Sequence, residues 1–240
     1  LPLESSKTKG LEKFALTATE IRWIDAWNDF VLSILKELDG KPLPGFPIWA
    51  DEWVLTQDLI IPKNTPDWKA NFLQKNSEFY TKHKKTLDAW LKRWNNLEDF
   101  PPSRRKFEWQ AQNAKSLKEC ILHFRPSGIR VKRSTYVPAL VAITQTTILG
   151  NDLRRISVKE ASRLQGFPEW FRFIGQNESS SYKQLGNAVN VGVIYQVLKA
   201  QVKRDFDILV DAPDLVKSVL TSPDNPDLVL SDPSQVLDNK

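Results

Sequence analysis

The sequence predicts an α+β fold that is rich in helices and contains a few β-strands. Apolar residues recur every three or four positions through much of the stretch before residue 95, which is typical of amphipathic helices. Apolar and cationic residues alternate around Ile129, which is typical of a strand, and two further helical segments follow Ser157. A chain of 240 residues with 41% hydrophobic content is long enough for one large domain or two small ones.

The first predicted helix begins at a capping box formed by Thr17 and Glu20, after a mixed, charged connector at residues 1–16. Its apolar stripe runs up to Gly40 and consists of Ile24, Trp27, Val31, Ile34 and Leu38. One amphipathic helix is therefore expected between the capping box and Gly40.

The next segment contains three prolines between positions 42 and 47, which forbid a helix and impose an extended, turning path. Trp49 and Trp53 are interpreted as anchors that pin this loop to the core, because tryptophan is usually buried for packing. On the sequence alone, the alternative that they stack on nucleic-acid bases stays open.

Two more helices are predicted before residue 95. The first is expected to have Thr65 as its N-cap and Pro66 at its first position. The second has an apolar face made of Leu87, Trp90, Leu91 and Trp94. A lysine-rich corner between them, which includes His83, is interpreted as solvated. Neither His83 nor His123 has metal-ligand spacing around it, so no metal site is predicted.

A basic region opens at Arg104, and its first part, residues 107–120, is predicted to be a helix. Beyond it, Ile129 and Val131 alternate with cationic residues, which predicts a strand with one apolar and one cationic face. An apolar strand is expected after Pro138, and its end is polar. The hydroxyl and amide groups of that end suit phosphate oxygens and base edges: Thr144, Gln145, Thr146 and Thr147.

The basic residues are concentrated in the middle of the chain. Residues 1–100 hold 14 basic and 15 acidic side chains, residues 101–204 hold 18 and 6, and residues 205–240 hold 2 and 8. The middle part therefore carries a net charge of +12 and is the expected polyanion-binding surface. A lysine-rich solvated surface is the alternative interpretation.

A specific pattern begins at Arg155 and reads Arg-Ile-Ser-Val-Lys-Glu-Ala-Ser-Arg-Leu-Gln-Gly-Phe-Pro. Ser157 and Glu160 form a capping box, so a short helix is predicted to start directly after Ser157. Gly166 can take the left-handed conformation that ends this helix, and Pro168 blocks its continuation.

A second specific pattern begins at Tyr182 and reads Tyr-Lys-Gln-Leu-Gly-Asn-Ala-Val. A longer helix is predicted to open around Asn187, with an apolar stripe at Val189, Val193 and Val197. Gly186 would let the backbone approach a ligand closely, and the unpaired amides of the first turn, from Asn187 to Val189, would seat an anion.

Together these two patterns resemble the ninth and tenth conserved motifs of DNA (cytosine-5) methyltransferases, in the family's order and closely spaced. Each pattern taken singly is also explained as an ordinary capped helix. The resemblance implies that the ninth motif supports a target-recognition domain and that the tenth closes one side of the S-adenosylmethionine pocket. On this match Gly186, Asn187 and Ala188 would contact the cofactor. The target cytosine would be flipped out of the duplex before C5 receives the methyl group.

In this family the segment before the ninth motif is the variable recognition domain, which contacts the DNA major groove. The resemblance therefore suggests these DNA contacts: Arg130, Lys132, Arg133, Thr144, Gln145, Arg154 and Arg155. It also divides the chain into a connector at residues 1–16 and a target-recognition domain at residues 17–153. Residues 154–204 would dock, through a C-terminal helix, on a Rossmann-like catalytic domain that is not encoded here. Residues 205–240 are expected to form a mobile or loosely docked, acidic and proline-rich tail.

The family's proline-cysteine pair, glutamate-asparagine-valine triplet and glycine-rich loop are absent from the sequence. Cys120 is therefore predicted to be a buried, inert thiol and the chain alone is expected to be inactive. Two arrangements fit: the second subunit of a split methyltransferase, or the C-terminal portion of one longer enzyme. The lack of methionine and the start at Leu1 indicate a piece of something longer.

A single cysteine excludes an internal disulfide framework, and no apolar run or signal peptide indicates a membrane. We expect a cytoplasmic protein, nucleoid-associated if prokaryotic, that acts in a restriction-modification system with double-stranded DNA and a catalytic subunit or domain as partners. The alternative is a stand-alone sequence-specific DNA-binding module without a methyltransferase role. An RNA-directed relative is a weaker third interpretation.

Overall fold

A computed structural model of the chain describes residues 3–5, 8–39, 41–140 and 146–229. Helices and a six-stranded sheet are both present, so the predicted α+β class is confirmed. The helices are α1 (Ala18–Glu37), α2 (Asp67–Arg93), α3 (Val158–Leu164), α4 (Glu178–Asn187), α5 (Val191–Arg204) and α6 (Pro213–Thr221). The strands are β1 (Ile48–Trp49), β2 (Lys106–Gln110), β3 (Cys120–Arg125), β4 (Gly128–Arg133), β5 (Ile148–Leu149) and β6 (Arg154–Arg155).

The chain divides into two compact units. The first, called the sheet unit below, comprises residues 5–137 and 145–156 and contains α1, α2 and β1 to β6. The second, called the helical unit, comprises residues 1–4, 138–144 and 157–240 and contains α3 to α6.

The sheet has the strand order β1-β2-β4-β3-β5-β6. Neighbouring strands are antiparallel except β2 and β4, which pair in parallel with Phe107 opposite Ile129. Strands β3 and β4 form a hairpin closed by the two residues Pro126 and Ser127, and β2 lies on the outer side of β4. The hairpin therefore occupies the middle of the sheet, where each of its strands has a partner on both sides.

One face of the sheet is covered by an aromatic core that includes α1 and α2. The ring of Trp27 stacks on Phe107 at 4.6 Å between centroids and lies 5.2 Å from the ring of Trp90. Both indole N–H groups are satisfied inside this core: Trp27 donates to the carbonyl of Arg104 and Trp90 to that of Ala26, each at 2.8 Å. The aromatic content of the sequence therefore serves packing in this unit.

Helix α1 begins as predicted, because Thr17 and Glu20 form a complete capping box. The proline-rich loop after it is pinned by Trp53, whose ring stacks at 5.9 Å on Tyr80, so the anchoring interpretation of this residue is confirmed. The side chain of Asn76 holds the same loop, since it accepts from the amide of Trp49 at 2.7 Å.

Helix α2 differs from its prediction at its start. Its N-cap is Pro66, without a side-chain hydrogen bond, so the prediction of Thr65 as the N-cap was wrong. The backbone leaves helical geometry at His83, which separates the two predicted helical segments by a kink. His83 is buried, and its Nδ1 lies 2.7 Å from Oε1 of Glu37, so the corner is not simply solvated.

Residues 107–120 are not helical, which corrects the predicted helix. Phe107 and Trp109 alternate with polar residues in β2 and point into the core, and a 3₁₀ turn at Leu117–Glu119 leads into β3. An alternating pattern satisfies its backbone only by pairing with another strand, and β4 provides that partner.

Both predicted end segments contain buried apolar residues. In the segment predicted to be a connector, Leu11, Phe14 and Leu16 are buried. The acidic segment after Arg204 contains α6, whose Val216 is buried, so of the two predicted alternatives the docked one describes this helix. The expected strand after Pro138 appears as β5 at its far end, and residues 141–145 lie outside the described residues.

Within the described ranges, no helix has the length and apolar character needed to cross a membrane. The same residues bring together no group of three or more His, Cys, Asp and Glu side chains suited to a metal ion.

Replacement of Gly150 by alanine tests the packing between β5 and the turn before β3. The added methyl group would lie 2.1 Å from the carbonyl oxygen of Leu117 and 2.8 Å from that of Cys120. We expect the free energy of unfolding to fall by about 1–3 kcal/mol, because backbone must shift to relieve the overlap. Chemical denaturation measures the change. Gly45→Ala is the control, since its new methyl group meets nothing within 4 Å; equal stability of the two variants would contradict the described packing.

Candidate nucleic-acid interface and motif pair

Opposite the aromatic core, strands β2, β3 and β4 carry a group of polar and cationic side chains. Side chains alternate along a strand, so the residues between Phe107 and Trp109 on β2, and between Ile129 and Val131 on β4, point away from the core. The cross-strand register places His123, Arg125 and the buried Ile121 of β3 on the same side. We call this surface the polar face; its members are Lys106, Glu108, Gln110, His123, Arg125, Arg130 and Lys132.

Two of the predicted DNA contacts lie together on the polar face. Arg130 and Lys132 are partly exposed and are two residues apart on β4. The ammonium group of Lys132 lies 5.4 Å from the ring centroid of Tyr136, a cation–π contact that leaves the lysine at the surface. Arg133 is exposed at the end of β4, but alternation places it on the other side of the strand, where it donates to Oε1 of Gln112 at 2.8 Å.

The other predicted DNA contacts either lie outside the described residues or have side chains engaged within the fold. Thr144 and Gln145 lie outside the described residues. The side chain of Arg154 is 5% exposed and lies 3.4 Å from a carboxylate oxygen of Asp152, so it is a buried residue rather than a surface contact. Arg155 points to the core side of the sheet and is ion-paired with Glu20 at 2.5 Å.

Sequence reasoning missed Lys106 and Arg125 as members of the cationic surface. Lys106 directly precedes the segment predicted to be helical, so its alternation with Phe107 was not used. Arg125 is the last residue of β3 and lies directly opposite Gly128, and no local sequence pattern identifies it as part of this surface. Two signals together identify both residues: the alternation of β2 and the register of the β3–β4 hairpin. The register cannot be read from a single sequence.

The ionisation of His123 reports the electrostatics of the polar face. Its Nε2 lies 2.9 Å from Oγ1 of Thr147. Burial, followed by the charges of Arg125, Lys132 and Arg130, lowers the pKa of His123 to about 4. A neutral imidazole among three cations indicates a positive potential at this surface.

The ninth-motif pattern forms the predicted capped helix in the helical unit. Ser157 and Glu160 form a complete capping box at the start of α3, and Gly166 after its end has a φ of 73°. Arg163 on this helix is ion-paired with Glu169 and with Glu4, the latter at 3.0 Å. The hydrogen bond from Arg163 lowers the pKa of Glu169 to about 2.

The tenth-motif pattern does not open a helix, which corrects the prediction. Asn187 is the last residue of α4, and α5 begins three residues after Ala188 with Asn190 as its N-cap. The amide of Ala188 donates to the carbonyls of Gln184 and Leu185 at 2.9 and 3.3 Å, so this segment does not form the predicted anion seat. Gly186 lies inside α4 and does not have a positive φ.

Hydrogen bonds tie the end of α3 to the turn between α4 and α5. The side-chain amide of Gln165 donates to the carbonyls of Leu185 and Ala188 at 2.7 and 3.2 Å. The side chain of Asn190 donates to the carbonyl of Leu164 at 3.0 Å and accepts from the amide of Val193 at 3.0 Å. The backbone amide of Val191 donates to the carbonyl of Gln165 at 2.9 Å, so the two motifs form one hydrogen-bonded cluster.

An apolar stripe lies on the surface beside this cluster, as the sequence predicted. Its residues are between 48% and 61% exposed: Val189, Val193, Ile194, Val197 and Leu198. The opposite side of α5 is occupied by α6 and the segment after it, where Val202 and Val216 are buried and Lys199 donates to the carbonyl of Ser222 at 2.6 Å. Among the described residues, one side of α5 is therefore packed and the other is uncovered.

The single cysteine is a structural residue. Cys120 is buried at the start of β3, where its thiol lies 3.3 Å from the carbonyl oxygen of Ser116. Burial raises the pKa of the Cys120 thiol to about 12, which keeps it protonated and a poor nucleophile at neutral pH. The predicted inert thiol is confirmed, although it belongs to a strand rather than to a helix.

The ordered motif pair in the helical unit defines a class of protein, the DNA methylases. The chain matches the family described as C-5 cytosine-specific DNA methylase over residues 31–203, and it belongs to that family. The match includes both motif patterns and most of the sheet unit.

Several curated relatives are type II methyltransferases. The chain is 42% identical over 240 residues to M.AluI of Cellulosimicrobium cellulans, an alignment that covers 82% of this chain and 46% of the relative. It is 49% identical over 47 residues to M.NgoPII of Neisseria gonorrhoeae, covering 20% of this chain and 14% of that protein. It is 32% identical over 103 residues to M.FnuDI of Fusobacterium nucleatum, covering 42% and 27%. The chain thus spans about half or less of the length of these relatives. No solved structure matches it.

The depressed pKa of His123 makes a testable contribution to stability. As pH falls through 6.5, the unfolded chain protonates this histidine while the folded chain stays neutral until about pH 4. The unfolded state then binds more protons, so this residue lowers the free energy of unfolding as pH falls between those values. We expect His123→Gln to reduce the loss of stability between pH 7 and pH 5 by on the order of 1–2 kcal/mol, measured by chemical denaturation. An unchanged pH dependence in the variant would show that His123 titrates normally in the folded chain.

Proposed function

We propose that the chain is the DNA-recognition and cofactor-pocket-completing component of a DNA (cytosine-5)-methyltransferase. The sheet unit, which includes most of residues 17–153, would recognise duplex DNA. Residues 154–204, most of which belong to the helical unit, would dock on a Rossmann-like catalytic part. The observation that carries the proposal is the hydrogen-bonded motif pair with an uncovered apolar stripe directly beside it.

The uncovered stripe on α5 supports docking to a catalytic part. Half-exposed Val193 and Val197 line a groove with Gly192 and Ala200, and contiguous apolar surface of this kind marks interaction sites. The chain spans 46% of M.AluI, so that relative contains a further part of comparable size that has no counterpart here. Such a part, in the same polypeptide or in a second subunit, is the occupant we assign to the stripe.

The turn between α4 and α5 supports a shared cofactor site. Asn187 and Val189 are exposed on a turn that Gln165 and Asn190 hold in place, which gives a rigid edge with an available amide side chain. Gly186, Asn187 and Ala188 would form one side of the pocket at the amino-acid end of S-adenosylmethionine. The cofactor supplies the methyl group, and the remainder of the pocket and the cysteine nucleophile would belong to the catalytic part.

The polar face supports DNA binding by the sheet unit. Four cationic side chains and one carboxylate lie on it, and positive charge on one surface is the electrostatic requirement for binding phosphates. The similarity to type II methyltransferases supports our proposal that this activity belongs to a restriction-modification system.

Methyl transfer should require both parts. We expect no transfer of tritiated methyl groups to duplex DNA by this chain alone, and transfer when a polypeptide with the missing motifs is added. The double variant Val193→Asp, Val197→Asp should reduce the restored rate about tenfold or more, because two charges would be buried at the docking surface. Thermal melting should be unaffected, since both side chains are more than half exposed.

The control for this experiment is Ile60→Asp, a change at an 86% exposed apolar residue in the sheet unit. It should leave the restored activity intact. Failure of a correctly folded catalytic part to restore any activity would refute the two-part proposal, and full activity of the double variant would refute the docking surface.

A bulky residue at position 187 separates the proposal from a stand-alone DNA-binding module. In the assembled enzyme, Asn187→Trp should raise the KM for S-adenosylmethionine because the indole would intrude on the pocket, whereas the module predicts no cofactor effect at all. Lys183→Trp, one turn earlier on the exposed surface of α4, is the control. Steady-state methylation at varied cofactor concentration gives both values. An equal KM for the two variants would contradict the cofactor role of Asn187.

A further inference from the structure

We infer that Arg130, held by Glu108, reads a guanine base in the target sequence, whereas the other cations of the polar face bind phosphates. The inference rests on the proposed function of the sheet unit and adds a specificity-determining residue to it.

The first argument is position. Arg130 lies in the middle of β4, between Glu108 of β2 and His123 of β3, and β4 has partners on both sides. A side chain on a central strand has a rigid base. Base recognition requires such a base, whereas contact with a phosphate does not and can be made from a flexible edge.

The second argument is charge. Among the polar-face residues of β1 to β4, Glu108 is the acidic one, and its Oε2 accepts from Nε of Arg130 at 2.7 Å. The carboxylate side chain is 13% exposed and that of Arg130 is 29% exposed. A carboxylate at this distance largely cancels the arginine's charge and would repel a phosphate. The pair is therefore poorly suited to the DNA backbone and well suited to an uncharged base edge.

The third argument is the geometry of the guanidinium group. Glu108 engages the Nε side, and within the described residues no hydrogen bond occupies the two terminal nitrogens. Those two nitrogens form a fork of parallel donors, fixed in orientation by the carboxylate. Guanine presents two acceptors, O6 and N7, on its major-groove edge, and a paired arginine fork is the common reader of that edge.

Lys132 differs from Arg130 in each of these respects. Its ammonium group packs on Tyr136, and no carboxylate lies beside it in the described structure to offset its charge. A lysine of this kind contacts phosphate as a point charge without sequence preference. It therefore serves as the matched control on the same strand.

The test is selection of duplexes from a random pool by the full 240-residue chain, followed by affinity measurements on the selected site. We expect the wild-type consensus to contain a guanine at which Arg130→Gln loses its preference by roughly 5- to 150-fold, with other positions unchanged. Glu108→Gln should weaken the preference at the same position. Lys132→Ala should lower affinity for all sequences alike and reduce the dependence of binding on salt.

A modified base provides a second, independent test of the same contact. Substitution of 7-deazaguanine removes the N7 acceptor and should weaken wild-type binding, but it should cost the Arg130→Gln chain little further. Circular dichroism checks that each variant is folded. Should Arg130→Gln prove unfolded, the wild-type loss with 7-deazaguanine and the position-specific effect of Glu108→Gln carry the test.

The outcomes separate this inference from the function on which it rests. Binding in which Arg130→Gln loses affinity equally for every sequence would assign Arg130 to a phosphate and overturn the inference. Binding without enrichment of any guanine would overturn it as well. A chain that binds no duplex DNA, alone or with its catalytic part, would instead refute DNA recognition by the sheet unit.

Discussion

The side-chain amides of Gln165 and Asn190 are the contacts on which the proposed site depends. Each bridges a helix end to the turn between α4 and α5, and each satisfies backbone groups that a helix end or turn would otherwise leave unpaired. The turn therefore has a fixed shape although its outer side is exposed. A surface that must close a pocket belonging to another part of an enzyme needs this property, because it has to be in shape before the partner arrives.

The helical unit has a packed interior and an exposed apolar stripe on its surface. Helix α5 uses one side to bury Val202 beside α6 and leaves its valine stripe uncovered. In an isolated chain the exposed stripe would add no folding stability, and exposed apolar area of this kind favours association with another surface. The exposed stripe and the partial coverage of longer relatives are two independent observations, and the proposed catalytic part would explain both.

In the sheet unit, the alternation of side chains along each strand separates apolar residues on one face from charged residues on the other. The same six residues of β4 supply Ile129 and Val131 to the core and Arg130 and Lys132 to the polar face. Parallel pairing with β2 then adds Glu108 beside Arg130, and the hairpin adds His123 on the other side. The polar face, which is the proposed recognition surface, thus comes from three segments that are separated in the chain.

The sequence by itself determined the features whose cause is local. The capping boxes at Thr17 and Ser157, the helix stop at Gly166, the stripe of β4 and the exposed stripe of α5 all follow from neighbouring residues. Family membership was also within reach, because the motif pair is contiguous in the chain. Tertiary structure decided the rest. Residues 107–120 became a strand and a turn because β4 offered a hydrogen-bonding partner, and the break between α4 and α5 is held by contacts from Gln165. Arg154 and Arg155 are not part of the candidate surface, because Arg154 is buried and Arg155 is ion-paired with Glu20. Partners remote in sequence set these outcomes, and no local propensity encodes which partner will be present.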